Sequence, residues 1–167
     1  MPLRLDVIQK YTARTFVETG TYEGEGIDRA LTAGFKRVHS MDVDGEKIKG
    51  ARARFANNRN VRIYHGASTE LLPRILPRVR DLVTFWLDAH GSQMLNLTNC
   101  PTADELRLIN QYKLRLQIKA ILIDDMRLFS VEDQRWFADT LHTMFPAANI
   151  LREPGIQDND VLVAYFG

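Results

Sequence analysis

The stretch Thr15-Phe16-Val17-Glu18-Thr19-Gly20-Thr21-Tyr22-Glu23-Gly24-Glu25-Gly26 constrains this chain more than any other. A short apolar run ends in an acid, and three glycines follow. The run predicts a buried strand, and the glycines predict the turn into a helix. Glycine is needed where backbone must take φ > 0 or approach another group closely. The N-terminus of the helix then presents free N–H groups to polar or anionic ligand atoms. In open α/β sheets ligands sit at such turns, beyond the carboxyl ends of the strands. The spacing departs from the dinucleotide pattern G-x-G-x-x-G. An acid closing the strand suits a ligand with a positive charge or a free amino group and suits a pyrophosphate poorly.

Strand and helix signals alternate along the rest of the chain. A short helix is expected over 3–12, a strand over 15–19, and a helix from Gly24 that Gly34 stops. Arg37–Met41 predicts a second strand and 45–57 a helix with Ile48, Ala51 and Phe55 on one face. Val61–Tyr64 predicts a third strand. A helix over about 69–79 follows, with an irregular start because of Pro73. Leu82–Leu87 is a near-continuous apolar run, as in strands buried on both faces of a parallel sheet. After a loop, Thr102-x-x-Glu105 predicts a capping box. Ala120–Ile123 is a strand, and Ser130-x-x-Asp133 opens a helix that Pro146 ends. Asn149–Arg152, a Pro154-Gly155 turn and Val161–Phe166 complete the chain as a hairpin. Five strand–helix units and a closing hairpin predict a Rossmann-like three-layer α/β/α sandwich. Its seven-stranded sheet is mostly parallel with an antiparallel last strand, and residues 1–167 form a single domain.

Composition narrows the function. Lysine and arginine number 22 against 21 acids among 167 residues, so no strong charge imbalance points to nucleic acid or to an anionic membrane. No run approaches the roughly 20 apolar residues of a membrane span, and Met1–Asp6 lacks the apolar core of a signal peptide. The single cysteine, Cys100, excludes an internal disulfide. A cytoplasmic protein is expected.

The glycine turn and the antiparallel last strand together resemble the class I S-adenosylmethionine-dependent methyltransferases. That resemblance implies S-adenosylmethionine as cofactor, contacted by Glu18, Gly20, Thr21, Tyr22 and Gly24 of the first motif. It makes Asp42, which closes the second strand, the ligand of both ribose hydroxyls. Val43 would pack on the adenine, and Asp44 would cap the next helix. Ala67 stands where the family often carries an Asp that meets the adenine amine. Ser68 then either supplies that contact or caps the following helix. Asp88, at the end of the fourth strand, completes the cofactor set.

Asp88, Asp124 and Asp125 converge at two adjacent strand ends, where carboxylates repel unless a cation or proton offsets them. Hard oxygen donors suit Mg²⁺. The pattern resembles metal-dependent O-methyltransferases, which implies Asp88, Asp124 and Asp125 as metal ligands. The metal would lower the pKa of an acceptor hydroxyl. Alternatively, Arg127 neutralises these acids without a metal. Trp86-Leu87-Asp88-Ala89-His90-Gly91 delivers His90 beside Asp88 as a general-base candidate, though His90 could instead only brace its loop. Trp86–His90, Cys100-Pro101, Asp104-Glu105-Leu106 and Ile121–Phe129 together also resemble a bacterial group of small methyltransferase-like proteins, in which the stretch after the His is usually longer and glycine-rich. Here Ser92–Leu97 replaces it and leaves the acceptor pocket unreadable. The expected reaction is O-methyl transfer to a small-molecule acceptor, with neither nucleic acid nor membrane as partner. The lack of a separate lid points to a homo-oligomer. The alternative is a non-catalytic adenosyl-nucleotide-binding or assembly domain.

Overall fold

Seven strands lie side by side in the order β3-β2-β1-β4-β5-β7-β6 in a computed structural model that describes residues 3–91 and 93–167. Met1, Pro2 and Ser92 fall outside the described residues. The strands are β1 Thr15–Thr19, β2 Arg37–Asp42, β3 Val61–His65, β4 Leu82–Leu87, β5 Gln117–Ile123, β6 Asn149–Glu153 and β7 Val161–Tyr165. The helices are α1 Leu5–Ile8, α2 Glu25–Ala33, α3 Gly45–Arg54, α4 Ser68–Ile75, α5 Thr102–Tyr112 and α6 Val131–Met144. Strands β1 to β5 pair in parallel, and β7 runs antiparallel between β5 and β6. The expected sandwich and sheet direction are the observed ones. Among the described residues no helix is long and apolar enough to cross a membrane.

Period-two alternation explains the apolar runs. Val17, Val83, Phe85, Leu87, Ile121 and Ile123 enter one core with Leu72, Ile75, Leu106, Ile109, Phe137 and Leu141 of α4, α5 and α6. Phe16, Trp86, Ala120, Leu122 and Val163 enter the other, with Val7 and Ile8 of α1 and Ile27 and Ala30 of α2. A strand that feeds two cores has no solvent face, so β4 reads as an apolar run broken only by Thr84, whose buried hydroxyl donates to the Tyr11 carbonyl.

Several local expectations are corrected. The N-terminal helix is short, giving way to a tighter turn at Gln9–Tyr11. Pro73 sits inside α4 while the helix starts regularly; the irregularity falls at its end, where Leu76–Arg78 tightens and carries Pro77. Pro77 has no N–H to give the Pro73 carbonyl, so the regular α pattern stops at Ile75. Thr102 and Glu105 form no capping box. Pro101 occupies the cap position with no side-chain bond, and the Thr102 hydroxyl lies 2.9 Å from Cys100 Sγ. Proline's fixed φ starts the helix without a side-chain acceptor. Ser130 and Asp44 do cap α6 and α3.

The closing hairpin is tied to the sheet through one buried acid. Asp160 accepts bonds from the backbone N–H groups of Arg127 (3.1 Å) and Ile156 (3.2 Å), and the Arg127 guanidinium bridges Asp160 to Asp125. Removing one member of such a buried set leaves the others unpaired. Asp160→Ala is expected to lower unfolding free energy by about 2–4 kcal/mol. Asp158→Ala, exposed on the same turn, should stay within about 0.5 kcal/mol. Urea denaturation of both variants followed by far-UV circular dichroism checks this; equal stabilities would detach Asp160 from the anchoring role.

Candidate functional site

Parallel pairing carries the ends of β1, β2, β4 and β5 to one edge of the sheet, where they line an open cleft of about 700 Å³. That volume is in the range of cofactor and small-ligand pockets. Its walls include Glu18, Gly20, Thr21, Tyr22, Asp42, Val43, Ala67, Ser68, Asp88, His90, Asp124 and Asp125. Gly24 caps α2 just behind it.

The turn after β1 is built by close approach. Gly20 has φ 87°, and a Cβ there would collide with the carbonyl of Asp88. Its N–H, with that of Thr21, bonds the Met41 carbonyl at 2.8 and 3.1 Å, locking the turn onto β2. Gly26 is required differently: a Cβ there would strike Glu18 Oε1. The Glu18 carboxyl thus lies against the first turn of α2, where the helix dipole favours an acid. Its other oxygen accepts from the Ser40 hydroxyl, which in turn pairs with Thr21 Oγ1 at 2.6 Å. Glu18 is only 2% exposed. Its carboxyl and the Thr21 hydroxyl are therefore spent inside the protein, and a ligand would meet mainly backbone here.

Asp42 stands open at the mouth. Each carboxylate oxygen accepts one backbone bond at 2.9 Å, from Tyr22 and from Asp44. A carboxylate has about four lone-pair sites, so both oxygens keep acceptor capacity toward the cleft. Tyr22 takes a left-handed conformation, φ 47°, to make its bond. Val43 beside it is 68% exposed, an uncovered apolar surface. His65 braces this rim with Nε2 3.1 Å from the Val43 carbonyl. On the far wall Ala67 is the cap of α4, and Ser68 is the first helical residue, buried, with no capping bond.

The acids at β4 and β5 are drawn together differently from the expected triad. Ligand atoms of Asp88, His90 and Asp125 lie within 4.8 Å of one another, and those of Asp124, Asp125 and Asp160 form a second group. Asp125, left-handed at φ 57°, is shared and is already held by Arg127. Burial first, then the charges of Asp124, Asp125 and Glu18, push the Asp88 carboxyl well above the usual range. Burial and Asp125 push Asp124 up to about 7, and its Oδ1 has no partner among the described residues. Burial likewise raises Glu18 to about 8, with Ser40 opposing.

His90 is not aimed freely into the cleft. Its side chain is buried against Phe129, and Nδ1 lies 3.1 Å from the Gly91 carbonyl. A carbonyl only accepts, so Nδ1 carries a proton. Nε2 has no partner among the described residues and faces Asp88 Oδ1 at 3.6 Å.

Asn99, Pro101 and Ile156 also line the cleft, and Asp160 supports its floor; sequence reading missed all four. The acid-rich Gln157–Asp160 turn was the available signal. Glu105 was misread: it is wholly buried, and neither carboxylate oxygen has a hydrogen-bond partner of normal geometry among the described residues. Burial raises it to about 7, with the nearby Ser68 and Thr19 hydroxyls holding the shift back.

No protein-family model matches the chain, and no curated protein matches it in sequence. Solved structures do match in three dimensions. An O-methyltransferase of Bacillus cereus in complex with S-adenosylhomocysteine is 16% identical, over 96% of this chain and 78% of that one, with a TM-score of 0.64. An O-methyltransferase of Streptomyces achromogenes involved in tomaymycin synthesis, in complex with S-adenosylmethionine, is 15% identical over 98% and 78%, at 0.63. An rRNA methylase of Streptococcus thermophilus is 15% identical over 99% and 98%, at 0.62. The likeness is one of fold: the chain shares the Rossmann-like architecture of these methyltransferases.

The buried acids fix the sign of the pH response. For Glu105 the folded value, about 7, exceeds the ordinary 4.5. The folded chain therefore holds more protons than the unfolded one between these limits, and stability falls as pH rises through that window. Unfolding free energy measured by urea denaturation should decline from pH 5 to pH 7, and Glu105→Gln should flatten part of that decline. An unchanged slope in the variant would place the Glu105 carboxyl at its ordinary pKa.

Proposed function

We propose that this chain is a methyltransferase that moves a methyl group from S-adenosylmethionine to the hydroxyl of a small molecule. The observation that carries the reading is Asp42, a carboxylate with spare acceptor capacity at the mouth of a cleft whose floor is otherwise crowded with acids. Such a cleft suits a ligand with ribose hydroxyls at one end and positive charge at the other. Bound there, S-adenosylmethionine would supply an electrophilic methyl on a sulfonium.

The residues take distinct parts. The backbone of Gly20 and Thr21 shapes the wall on which the methionine part rests. Asp42 accepts from the ribose hydroxyls, and exposed Val43 covers one face of the adenine. Asp88, partly open to the cleft and raised in pKa, accepts the proton that the acceptor hydroxyl loses as its oxygen bonds the methyl carbon and the carbon–sulfur bond breaks. His90 Nε2 lies behind Asp88 to share that proton. A divalent cation of the Mg²⁺ class fits the donor set of Asp88 and Asp125, with the unpartnered Asp124 Oδ1 behind them, and would supply a Lewis acid for the hydroxyl. Arg127 already offsets part of this charge. Ala67 favours a second reading, an adenosyl-nucleotide-binding domain without turnover, because its methyl offers the adenine amine no acceptor.

Calorimetric titration of the full chain with S-adenosylmethionine and S-adenosylhomocysteine tests the first step. Asp42→Ala should weaken binding about 10–100-fold through lost charge-assisted hydrogen bonds, and Gly20→Val should abolish it. No binding of either compound at millimolar concentration would remove both readings. A cationic ligand favours ionised neighbours, so binding of S-adenosylmethionine near pH 7 should release protons and tighten as pH rises toward 8. Titrations in buffers of different ionisation enthalpy read the proton count, and a zero count would mean that the raised acids do not sense the ligand.

Turnover separates the remaining roles. His90→Gln should lower kcat by about 10²–10⁴-fold with cofactor affinity unchanged if His90 shares the proton. Near-wild-type turnover would leave that role to Asp88 alone. A metal-assisted reaction should stop in EDTA and return with Mg²⁺, whereas full activity in chelator would assign the acids to cofactor and substrate only.

A further inference from the structure

A second cavity, of about 500 Å³, lies on the α4 side of the β2–β3 edge, toward the amino ends of these strands and so opposite the cleft. In-register neighbours of a parallel pair share a face, and here they are His39 with Arg62 and Met41 with Tyr64. Further in, that face is ordinary core, where Met41 packs with Leu72 and Ile75. At its outer end it changes character. Arg37 and His39 of β2, Arg62 and Tyr64 of β3, Arg59 before β3 and Arg78 after α4 enclose the cavity, with Ile75 as its apolar floor.

Four guanidiniums around one hollow are unusual in a chain whose net charge is only +1. Solvated arginines repel and spread unless something holds them. Arg37 is held by Asp81, which Arg14 shares, and Arg78 donates to the Arg74 carbonyl at 3.1 Å. Among the described residues Arg59 and Arg62 have no carboxylate partner, and no acid lines the cavity. The hollow is also stiff. His39 stacks on Tyr64 and lies 2.9 Å from its hydroxyl, so a paired set of rings forms the wall between the arginines. Burial, then Arg62 and Arg37, push His39 down to about 4, which leaves the ring neutral and the arginines as the charge.

We propose that this cavity binds a phosphate-bearing small molecule, with Arg59, Arg62 and Arg78 as the cationic clamp and Tyr64 and His39 as the wall between them. Planar guanidiniums match phosphate oxygens in a bidentate manner. Convergence from a strand, a loop and a helix end onto one concavity fits a discrete anion. A nucleic-acid backbone calls for a stripe of charge along a surface, and the chain carries a net charge of only +1. Distance from the cleft makes the bound molecule an effector or a docking group rather than the methyl acceptor.

Pyrophosphate titrated into the full chain at low salt, followed by calorimetry and by NMR of the His39 and Tyr64 rings, is the test. Saturable binding is expected, with shifts at these rings and none at Asp42. Arg59→Ala combined with Arg62→Ala should weaken it about tenfold or more while melting temperature holds. Arg107→Ala, an exposed arginine on α5 paired with Asp104, should bind as the wild type does. Inorganic phosphate and a short single-stranded RNA form the second arm. Weaker binding of phosphate than of pyrophosphate supports the clamp. Absence of saturable binding at millimolar pyrophosphate, equal binding by the double variant, or RNA affinity that exceeds pyrophosphate and grows with length would each overturn the proposal.

Discussion

Charge crowding at one edge of a parallel sheet is the constraint on which the rest of this molecule turns. Parallel pairing places the ends of β1, β2, β4 and β5 together. Each of those ends carries an acid, so the topology concentrates negative charge where a low-dielectric wall makes repulsion expensive. The structure disperses it by three separate means. Glu18 is turned into the N-terminus of α2 and onto Ser40. Asp42 is held by two backbone N–H groups. Asp125 and Asp160 share one guanidinium. Asp88 and Asp124 are left without such relief, and burial and their neighbours' charges push both carboxyls up; Glu18 rises as well, because burial outweighs its bond from Ser40.

The same crowding explains why the glycine turn must be so tight. Gly20 rests on the Asp88 backbone, so β1 and β4 approach until their connecting loops touch. A bulkier residue would part the strands and open the floor of the cleft. The geometry of the acids and the identity of the glycines are therefore one requirement stated twice.

Much of this was legible before any coordinates, and the reasons differ by element. Strands buried on both faces announce themselves as apolar runs, and helix caps of the Asp44 and Ser130 kind follow from local chemistry, so the order of elements came through. The capping-box reading at Thr102 failed because Glu105 matches the motif yet points into the core, and a motif does not encode direction. Site residues were legible as positions at strand ends, since topology alone puts them there. Their orientation was not. That Glu18 and Thr21 spend their polar atoms inward, that His90 lies under Phe129, and that Asp160 reaches across from the hairpin all depend on packing between segments far apart in sequence. The basic hollow was invisible for a related reason: its arginines are scattered singly from Arg37 to Arg78, and only the register of β2 against β3 assembles them.

Arg127 gives the cleft a tethered counterion. A free cation leaves when the salt changes or the ligand departs, but a guanidinium fixed to the chain two residues from Asp125 stays at a constant, high local concentration. The empty cleft is thereby buffered against the very charge it attracts. A positively charged guest gains only the difference between its own attraction and what the tether already provides. Because the same guanidinium also holds Asp160, a guest that drew Asp125 away would leave Arg127 wholly to the terminal hairpin, so the anchor of that hairpin outlasts the filling of the cleft.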